Sequence, residues 1–303
     1  MSTRILDGTA IAAEIKAELK SQVEALGYTP GLTVILIGED PASAIYVRNK
    51  VKACEELGIR SVEIRPEPTI TTEELLAMIG ELNEDDSVDG ILVQLPLPKH
   101  VDTKKVLDAV SPEKDVDGFH PVNVGRLSTG QDCLTPCTPT GVIEILKRSG
   151  IATEGAEAVV IGRSDIVGKP VAMMLTAANA TVTICHGRTK NLAEHTRRAD
   201  ILVVAIGRGG FVTADMVKPG AVLIDVGINR VSDAAEVNRF FGDDAKRMET
   251  YAKRGSVVMG DIAPQAFAVS SAYTPVPGGV GALTIAMLMH NTVKAAKLRR
   301  AAK

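Results

Sequence analysis

The feature that most constrains the fold of this chain is an alternation. Short apolar runs of strand length, at 31–38, 88–98, 156–162, 180–185, 199–207 and 220–226, alternate with segments of helical apolar spacing. Several of these runs stop at a glycine or a polar turn. Strand, helix, strand in repetition builds right-handed βαβ units on a parallel sheet. In such sheets ligands bind beyond the carboxyl ends of the strands. At 303 residues the chain is long enough for two domains of this kind. The fold class expected is therefore α/β, in two domains built on parallel sheets.

The N-terminal half opens with Ile11, Ile15, Leu19, Val23 and Leu26 at helical spacing, which predicts an amphipathic helix over 8–26. After the run 31–38, Asp40 stands as an N-cap and Pro41 as the first helical residue. That helix is expected to reach Leu57 and stop at Gly58. Tyr46 and Lys50, four residues apart, share one of its faces. A strand over 61–65, a helix over 71–83 opened by Thr-Thr-Glu-Glu, and a third strand follow. Gln94 is the polar exception in that third run, just before Leu-Pro-Leu-Pro98. A buried amide without partners costs about 1–3 kcal/mol, so Gln94 needs a partner, either local backbone or a ligand site. After a short helix over 103–110, Asp115 and Asp117 flank Val116 and should point in opposite directions. One is placed to cap or pair with Lys114, and the other to face a pocket.

Residues 122–141 are rich in Gly, Ser, Thr and Pro and lack periodicity, which marks a domain junction. The expected division is 1–122 with a C-terminal helix 282–303, against 123–281. A helix over 141–149 leads into the run ending at Gly162, then Arg163-Ser-Asp-Ile-Val-Gly168 and another helix. Glycines at such a turn let the backbone approach a ligand, and the helix N-terminus favours phosphate. The spacing Gly-x5-Gly departs from the usual dinucleotide fingerprint. Arg163 follows the first strand, Arg188 follows the second, and 186–190 contains no acid; that charge pattern favours NADP over NAD. Residues 231–256 form a polar insertion with a helix around 243–253, and 275–281 is a Pro- and Gly-rich loop whose backbone can lie close to a flat ligand.

Composition narrows the function. A net charge of −3 gives no basic field for nucleic acid, and 3% aromatic residues leaves little for base stacking. No apolar run reaches membrane-spanning length, and the N-terminus lacks a signal-peptide core, so no membrane partner and a cytoplasmic setting are expected. Cys54, Cys133, Cys137 and Cys185 are scattered and suggest neither a disulfide framework nor a zinc site.

Tyr46-Val-Arg-Asn-Lys50, Val93-Gln-Leu-Pro-Leu-Pro98, Lys114-Asp-Val-Asp-Gly118, Gly162-Arg-Ser-Asp-Ile-Val-Gly-Lys-Pro170 and Pro275-Val-Pro-Gly-Gly-Val-Gly281 occur in this order. With them the chain closely resembles, over nearly its whole length, the bifunctional methylenetetrahydrofolate dehydrogenase/methenyltetrahydrofolate cyclohydrolase family. The resemblance implies an N-terminal α/β substrate domain and a Rossmann-like doubly wound NAD(P) domain with the active-site cleft between them. It also implies NADP-dependent oxidation of 5,10-methylenetetrahydrofolate, hydrolysis of the methenyl product to 10-formyltetrahydrofolate, a homodimer and no metal. It assigns Lys50, Gln94 and Asp117 as catalytic. It assigns Tyr46, Lys50, Gln94, Asp117, Pro277, Gly278 and Gly279 to the folate substrate. It assigns Gly162, Arg163, Ser164, Ile166, Val167, Gly168, His186, Arg188 and Ile228 to the cofactor.

The chain departs from the family pattern in three places. Gly187 stands where a serine is common, Ala282-Leu283 replaces Pro-Met, and the insertion 231–256 is long. Loss of that serine puts more weight on Arg163 and Arg188 for NADP. Two rival functions are a dehydrogenase of another small substrate on a shikimate dehydrogenase-like plan and a non-enzymatic NADP-binding regulator. The regulator has no use for Lys50, Gln94 and Asp117 together.

Overall fold

The computed structural model describes residues 3–38 and 41–301, with side chains of the helix beginning at Pro41 described from Ser43 onward. The strands are β1 (Arg4–Ile5), β2 (Gly31–Ile35), β3 (Arg60–Ile64), β4 (Gly90–Val93), β5 (Glu157–Ile161), β6 (Thr181–Cys185), β7 (Ile201–Val204), β8 (Val222–Asp225), β9 (Asn229–Val231), β10 (Val257–Met259) and β11 (Ala272–Tyr273). The helices are α1 (Gly8–Glu24), α2 (Pro41–Leu57), α3 (Thr72–Glu84), α4 (Thr103–Ala109), α5 (Pro121–Ser128), α6 (Cys137–Arg148), α7 (Gly168–Ala177), α8 (Leu192–Thr196), α9 (Ala234–Phe241), α10 (Ala245–Arg254) and α11 (Val280–Ala301). The N-cap expected at Asp40 lies outside the described residues.

The chain divides into two compact units. The N-terminal unit is Ala12–Cys137 with the segment from Thr284 onward; the central unit is Thr138–Leu283 with the segment up to Ile11. The boundary therefore falls after Cys137, not after residue 122. Hydrogen bonds explain the difference. Asn123 on α5 donates its side-chain amide to Pro112 O (2.8 Å) and Asp115 Oδ2 (2.9 Å), and Asn291 on α11 donates to Thr135 O (2.8 Å). The stretch without periodicity is a short helix with irregular flanks, fastened to the N-terminal unit. The strand β1 was missed too; its two residues pair with β11 in the central unit, and two residues carry no periodic signal.

In the N-terminal unit the sheet order is β3-β2-β4, all parallel, extended by a single parallel bridge between Ile91 and Asp115. Every residue of β2 and β4 is buried, as expected of strands covered on both faces. Ile35, Ile37, Leu75, Ile79, Val93 and Val106 belong to its core. The start of α3 is fixed by a reciprocal cap: Thr71 Oγ1 accepts from Glu74 N (3.2 Å) and Glu74 Oε2 accepts from Thr71 N (2.9 Å). The apolar runs overshoot the strands. β2 ends at Ile35 and β4 at Val93, so Gln94 sits just past the carboxyl end of β4, its N–H still donating to Ile35 O (2.9 Å).

In the central unit the sheet order is β1-β11-β8-β7-β5-β6, with every pair parallel. After β5 the chain places β6 on one side and then β7 and β8 on the other, so the winding reverses at β5. The loops leaving that reversal are where such sheets bind ligands. Val159, Ile161, Leu202, Val204 and Leu223 form part of its core. The insertion is more ordered than its polarity suggests. The antiparallel pair β9–β10 carries α9 and α10 on a small core of Val231, Val237, Phe241, Val257 and Met259. The single helix expected over 243–253 is α10; α9, not expected from the polar composition of 231–256, carries Val237, Phe240 and Phe241 at helical spacing. Its start is capped by Asp233, whose Oδ1 accepts from Glu236 N (2.9 Å).

Candidate active site

Lys50 is a lysine with only 8% of its surface exposed, on the interior face of α2. Its Nζ donates to Gln94 Oε1 at 2.9 Å. Gln94 Nε2 in turn donates to Leu95 O at 2.7 Å, which orients the amide so that its oxygen faces the lysine. Tyr46, one turn earlier on α2, keeps 39% of its surface exposed. The Lys50 side chain is thus held from one side while an aromatic face is presented next to it.

The two acids of the Lys114–Gly118 motif divide their work. Asp115 is buried and accepts from the backbone N–H groups of Gly118 (3.1 Å), Phe119 (3.2 Å) and His120 (2.8 Å), besides the Asn123 amide. Burial raises its pKa and those hydrogen bonds oppose the rise. It builds the turn. Asp117 accepts no hydrogen bond from the described residues and is half-buried. Burial pushes its carboxyl up to about 6; the Lys50 charge pulls it down and the Asp115 charge pushes it further up. Asp117 is therefore an acceptor open to a ligand, in the field of Lys50. Of the two roles the sequence offered the first acid, Asp115 takes the cap and neither acid pairs with Lys114. The buried Lys114 amine donates to Leu82 O (2.9 Å) and Asp85 O (2.8 Å), because the end of α3 offers it carbonyls.

Asn291 was not anticipated. It is buried on α11, and its amide donates to Val116 O and to Thr135 O, both at 2.8 Å. It clamps the residue before Asp117. A carboxamide in the apolar run of α11 was the available signal. Gly118 has φ +74°, and a Cβ there would lie 2.4 Å from the Thr135 carbonyl carbon, so this turn requires glycine.

The second cluster lies in the central unit, at the turn from β5 to α7. Gly162 has φ +126°, and a Cβ on it would lie 2.4 Å from Ala205 O. A Cβ on Gly168 would lie 2.3 Å from Gly162 O. Ser164 Oγ closes the turn by accepting from Val167 N (3.2 Å) and Gly168 N (3.3 Å). The N-cap residue of α7, Val167, makes no side-chain cap hydrogen bond of its own. Arg163 is exposed, as are the apolar Ile166 (39%) and Ile228 (52%). After β6, His186 Nδ1 accepts from Arg188 N (3.1 Å) and leaves the Arg188 side chain exposed. This is a backbone cradle with two exposed arginines at its loops, suited to a phosphorylated dinucleotide. Gly162→Ala is expected to lower unfolding stability by about 2 kcal/mol or more and to weaken NADP binding, since φ and backbone contact both oppose a side chain. Denaturant unfolding and a cofactor titration read both effects.

Two buried acids behind this edge set its loops through hydrogen bonds. Asp261 accepts from the N–H groups of Ile206 (2.7 Å), Gly207 (3.0 Å) and Arg208 (2.7 Å), and from the Asn229 amide (2.9 Å). Asp225 accepts from Gly227 (3.0 Å), Asp261 (2.8 Å) and Ile262 (2.8 Å), while burial pushes its carboxyl up to about 7. Gly227 and Gly260 admit these carboxylates: a Cβ would sit 2.2 Å from Asp261 Oδ1 at the former and 1.9 Å from Asp225 Oδ2 at the latter.

A parallel α/β unit with a buried, amide-held lysine and a second with a dinucleotide cradle define a two-domain, nucleotide-dependent α/β enzyme. Residues 6–117 match the model for the tetrahydrofolate dehydrogenase/cyclohydrolase catalytic domain, and residues 136–300 match that for the NAD(P)-binding domain of the same family. The chain belongs to the tetrahydrofolate dehydrogenase/cyclohydrolase family. It is 62% identical to the bifunctional protein FolD of Koribacter versatilis over 303 residues, 99% of each chain. Among solved structures, the bifunctional methylenetetrahydrofolate dehydrogenase/cyclohydrolase from Campylobacter jejuni matches with 46% identity and a TM-score of 0.89, covering 98% of this chain and 100% of that one. The Trypanosoma brucei enzyme, complexed with NADP cofactor and inhibitor, matches with 37% identity and a TM-score of 0.88 over 99% of each chain. These matches do not favour the alternative of a dehydrogenase acting on another small substrate.

Proposed function

We propose that this enzyme oxidises 5,10-methylenetetrahydrofolate to the 5,10-methenyl cation with NADP and then hydrolyses that cation to 10-formyltetrahydrofolate. The observation that carries the proposal is the Lys50–Gln94 hydrogen bond beside Asp117, an acceptor that the protein itself leaves open. On this reading Asp117 accepts from the pterin N–H donors and Tyr46 packs on the aromatic part of the folate. The loop residues Pro277, Gly278 and Gly279 contribute further substrate contacts.

Removal of a hydride from the methylene carbon is driven by a nitrogen lone pair and needs positioning rather than an acid or base. Bound NADP supplies the hydride acceptor. Gly162, Val167 and Gly168 would let its phosphates approach backbone; Arg163, Ser164, His186 and Arg188 would meet its polar groups, and Ile166 and Ile228 its flat ones. Hydrolysis does need proton handling. As water adds to the methenyl carbon, Lys50 takes a proton. As the bond to N5 breaks, Lys50 returns that proton to N5, and the hydroxyl gives its own proton to solvent water as it becomes the formyl carbonyl, so one proton is released overall. Gln94 holds the amine in place for both transfers.

The finer assignments follow the same reading: a cytoplasmic homodimer with no nucleic-acid or membrane partner, whose product feeds purine biosynthesis. The near-neutral charge supports the lack of a nucleic-acid partner, and among the described residues no helix is long and apolar enough to cross a membrane. The test is a coupled assay with methylenetetrahydrofolate, comparing NADP with NAD. NADP is expected to be reduced at the lower cofactor concentration, with methenyl and then formyl product appearing; no nicotinamide reduction with either cofactor sinks the proposal. Arg188→Ala should raise the KM for NADP by about tenfold, the weight of one charge-assisted contact, and leave that for NAD nearly unchanged.

A further inference from the structure

We propose that Arg247, in the α9–α10 segment, is a positioning residue for the loop 275–279. Arg247 lies in the first turn of α10, whose start is fixed by Asp244 Oδ1 accepting from Arg247 N (3.0 Å). Its guanidinium sits over the Phe241 ring at 5.2 Å from the centroid. From there it donates to two carbonyls in different segments: Val258 O on β10 at 2.6 Å and Val276 O in the loop at 2.5 Å. A planar guanidinium can hold two acceptors at a fixed angle, which a lysine cannot.

The loop needs such a tie. Pro275 and Pro277 have no N–H to give, so the loop can form few hydrogen bonds of its own. On one side it is pinned by Thr9 N donating to Gly278 O (3.1 Å), and by Gly8, where a Cβ would lie 2.1 Å from Gly279 O. On the other side the loop borders a cavity of about 470 Å³ lined by Phe240, Arg247, Phe267, Tyr273, Pro275 and Val276. Arg247, itself in that lining, ties the loop to β10 through its two hydrogen bonds. This gives the insertion a purpose: its small core of Val237, Phe241 and Met259 is a platform for one guanidinium.

The inference rests on the assignment of Pro277, Gly278 and Gly279 to the substrate. A misplacement of about 1 Å can cost as much as 100-fold, so Arg247→Met should raise the KM for methylenetetrahydrofolate about tenfold. Its NADP affinity should stay within about twofold and its kcat should fall less than its KM rises, because the cradle at Gly162 is untouched. Arg247→Lys, with a charge but no fork, should fall between the two. The decisive experiment measures folate KM, kcat and NADP dissociation constant for wild type, Arg247→Met and Arg247→Lys side by side. A wild type that oxidises the folate, with both variants equal to it, overturns the role of Arg247. A uniform loss of NADP binding and kcat in both variants overturns it as well, since that is general disruption of the unit. If Arg247→Met does not fold, Arg247→Lys decides: a raised folate KM with unchanged NADP affinity supports the role, and a wild-type KM rejects it. A wild type that leaves methylenetetrahydrofolate unoxidised instead defeats the proposed function, which separates the two failures.

Discussion

Asp117→Asn is expected to raise the KM for methylenetetrahydrofolate by about 100-fold, with NADP affinity changed by no more than about twofold. The carboxylate accepts nothing from the described protein residues, so its acceptor capacity is available to a ligand. Two charge-assisted hydrogen bonds to pterin donors, each about 1.5–3 kcal/mol, account for a loss of that size. The residue also gives the enzyme a pH signature. Burial, against the pull of Lys50, puts its carboxyl at about 6, above the ordinary value of 3.8. Between those two values the folded protein holds a proton that the unfolded chain has released. Stability from this group is therefore fully present below the lower value and falls as pH rises towards 6. Substrate binding runs the other way, because the ionised form is the acceptor. The profile of kcat/KM should show an acid limb near pH 6, and Asp117→Asn should remove that limb along with most of the affinity. An unchanged KM and an unchanged limb would show that the acid does not touch the folate.

Lys50→Met should abolish hydrolysis of the methenyl cation and leave a measurable fraction of the dehydrogenase activity. Methionine fills a similar volume without an amine, so the consequence is chemical before it is steric. Removing a general acid–base group costs about 100-fold to 10,000-fold in a step that needs proton transfer. The hydride step has no such need and should lose only what substrate positioning loses. Gln94 would keep its bond to Leu95 O but lose its partner at Oε1, so some dehydrogenase loss is expected from a loosened wall. Lys50→Met thus separates the two activities, whereas Asp117→Asn depresses both.

The sequence singles out Lys50, Gln94 and Asp117, to which the proposal gives the chemistry, by local exceptions: a glutamine ends an apolar run just past β4, a lysine shares a helix face with a tyrosine, and two acids flank one valine. The βαβ rhythm likewise located β2, β5, β7 and β8, whose residues lie on covered parallel strands. What stayed hidden acts through contacts to backbone. Asn291 reaches Val116 O, Asp261 reaches the N–H groups of 206–208, and Arg247 reaches Val276 O; all three join positions far apart in sequence. Such bonds leave no period. The junction was misplaced for the same reason, since a polar, proline-rich stretch looks alike whether it links two units or is fastened to one by Asn123 and Asn291. In the insertion, the charged residues on either side concealed α9, although Val237, Phe240 and Phe241 stand at helical spacing and were a readable signal.

The most direct test of a single lysine-centred site for both reactions follows nicotinamide reduction and the methenyl absorbance together, in wild type and in Lys50→Met, from methylenetetrahydrofolate and NADP. The wild type should form reduced cofactor with little methenyl intermediate standing. The variant should form reduced cofactor more slowly and accumulate methenyltetrahydrofolate without converting it. Continued hydrolysis by Lys50→Met, with the methenyl signal as low as in the wild type, would contradict the account.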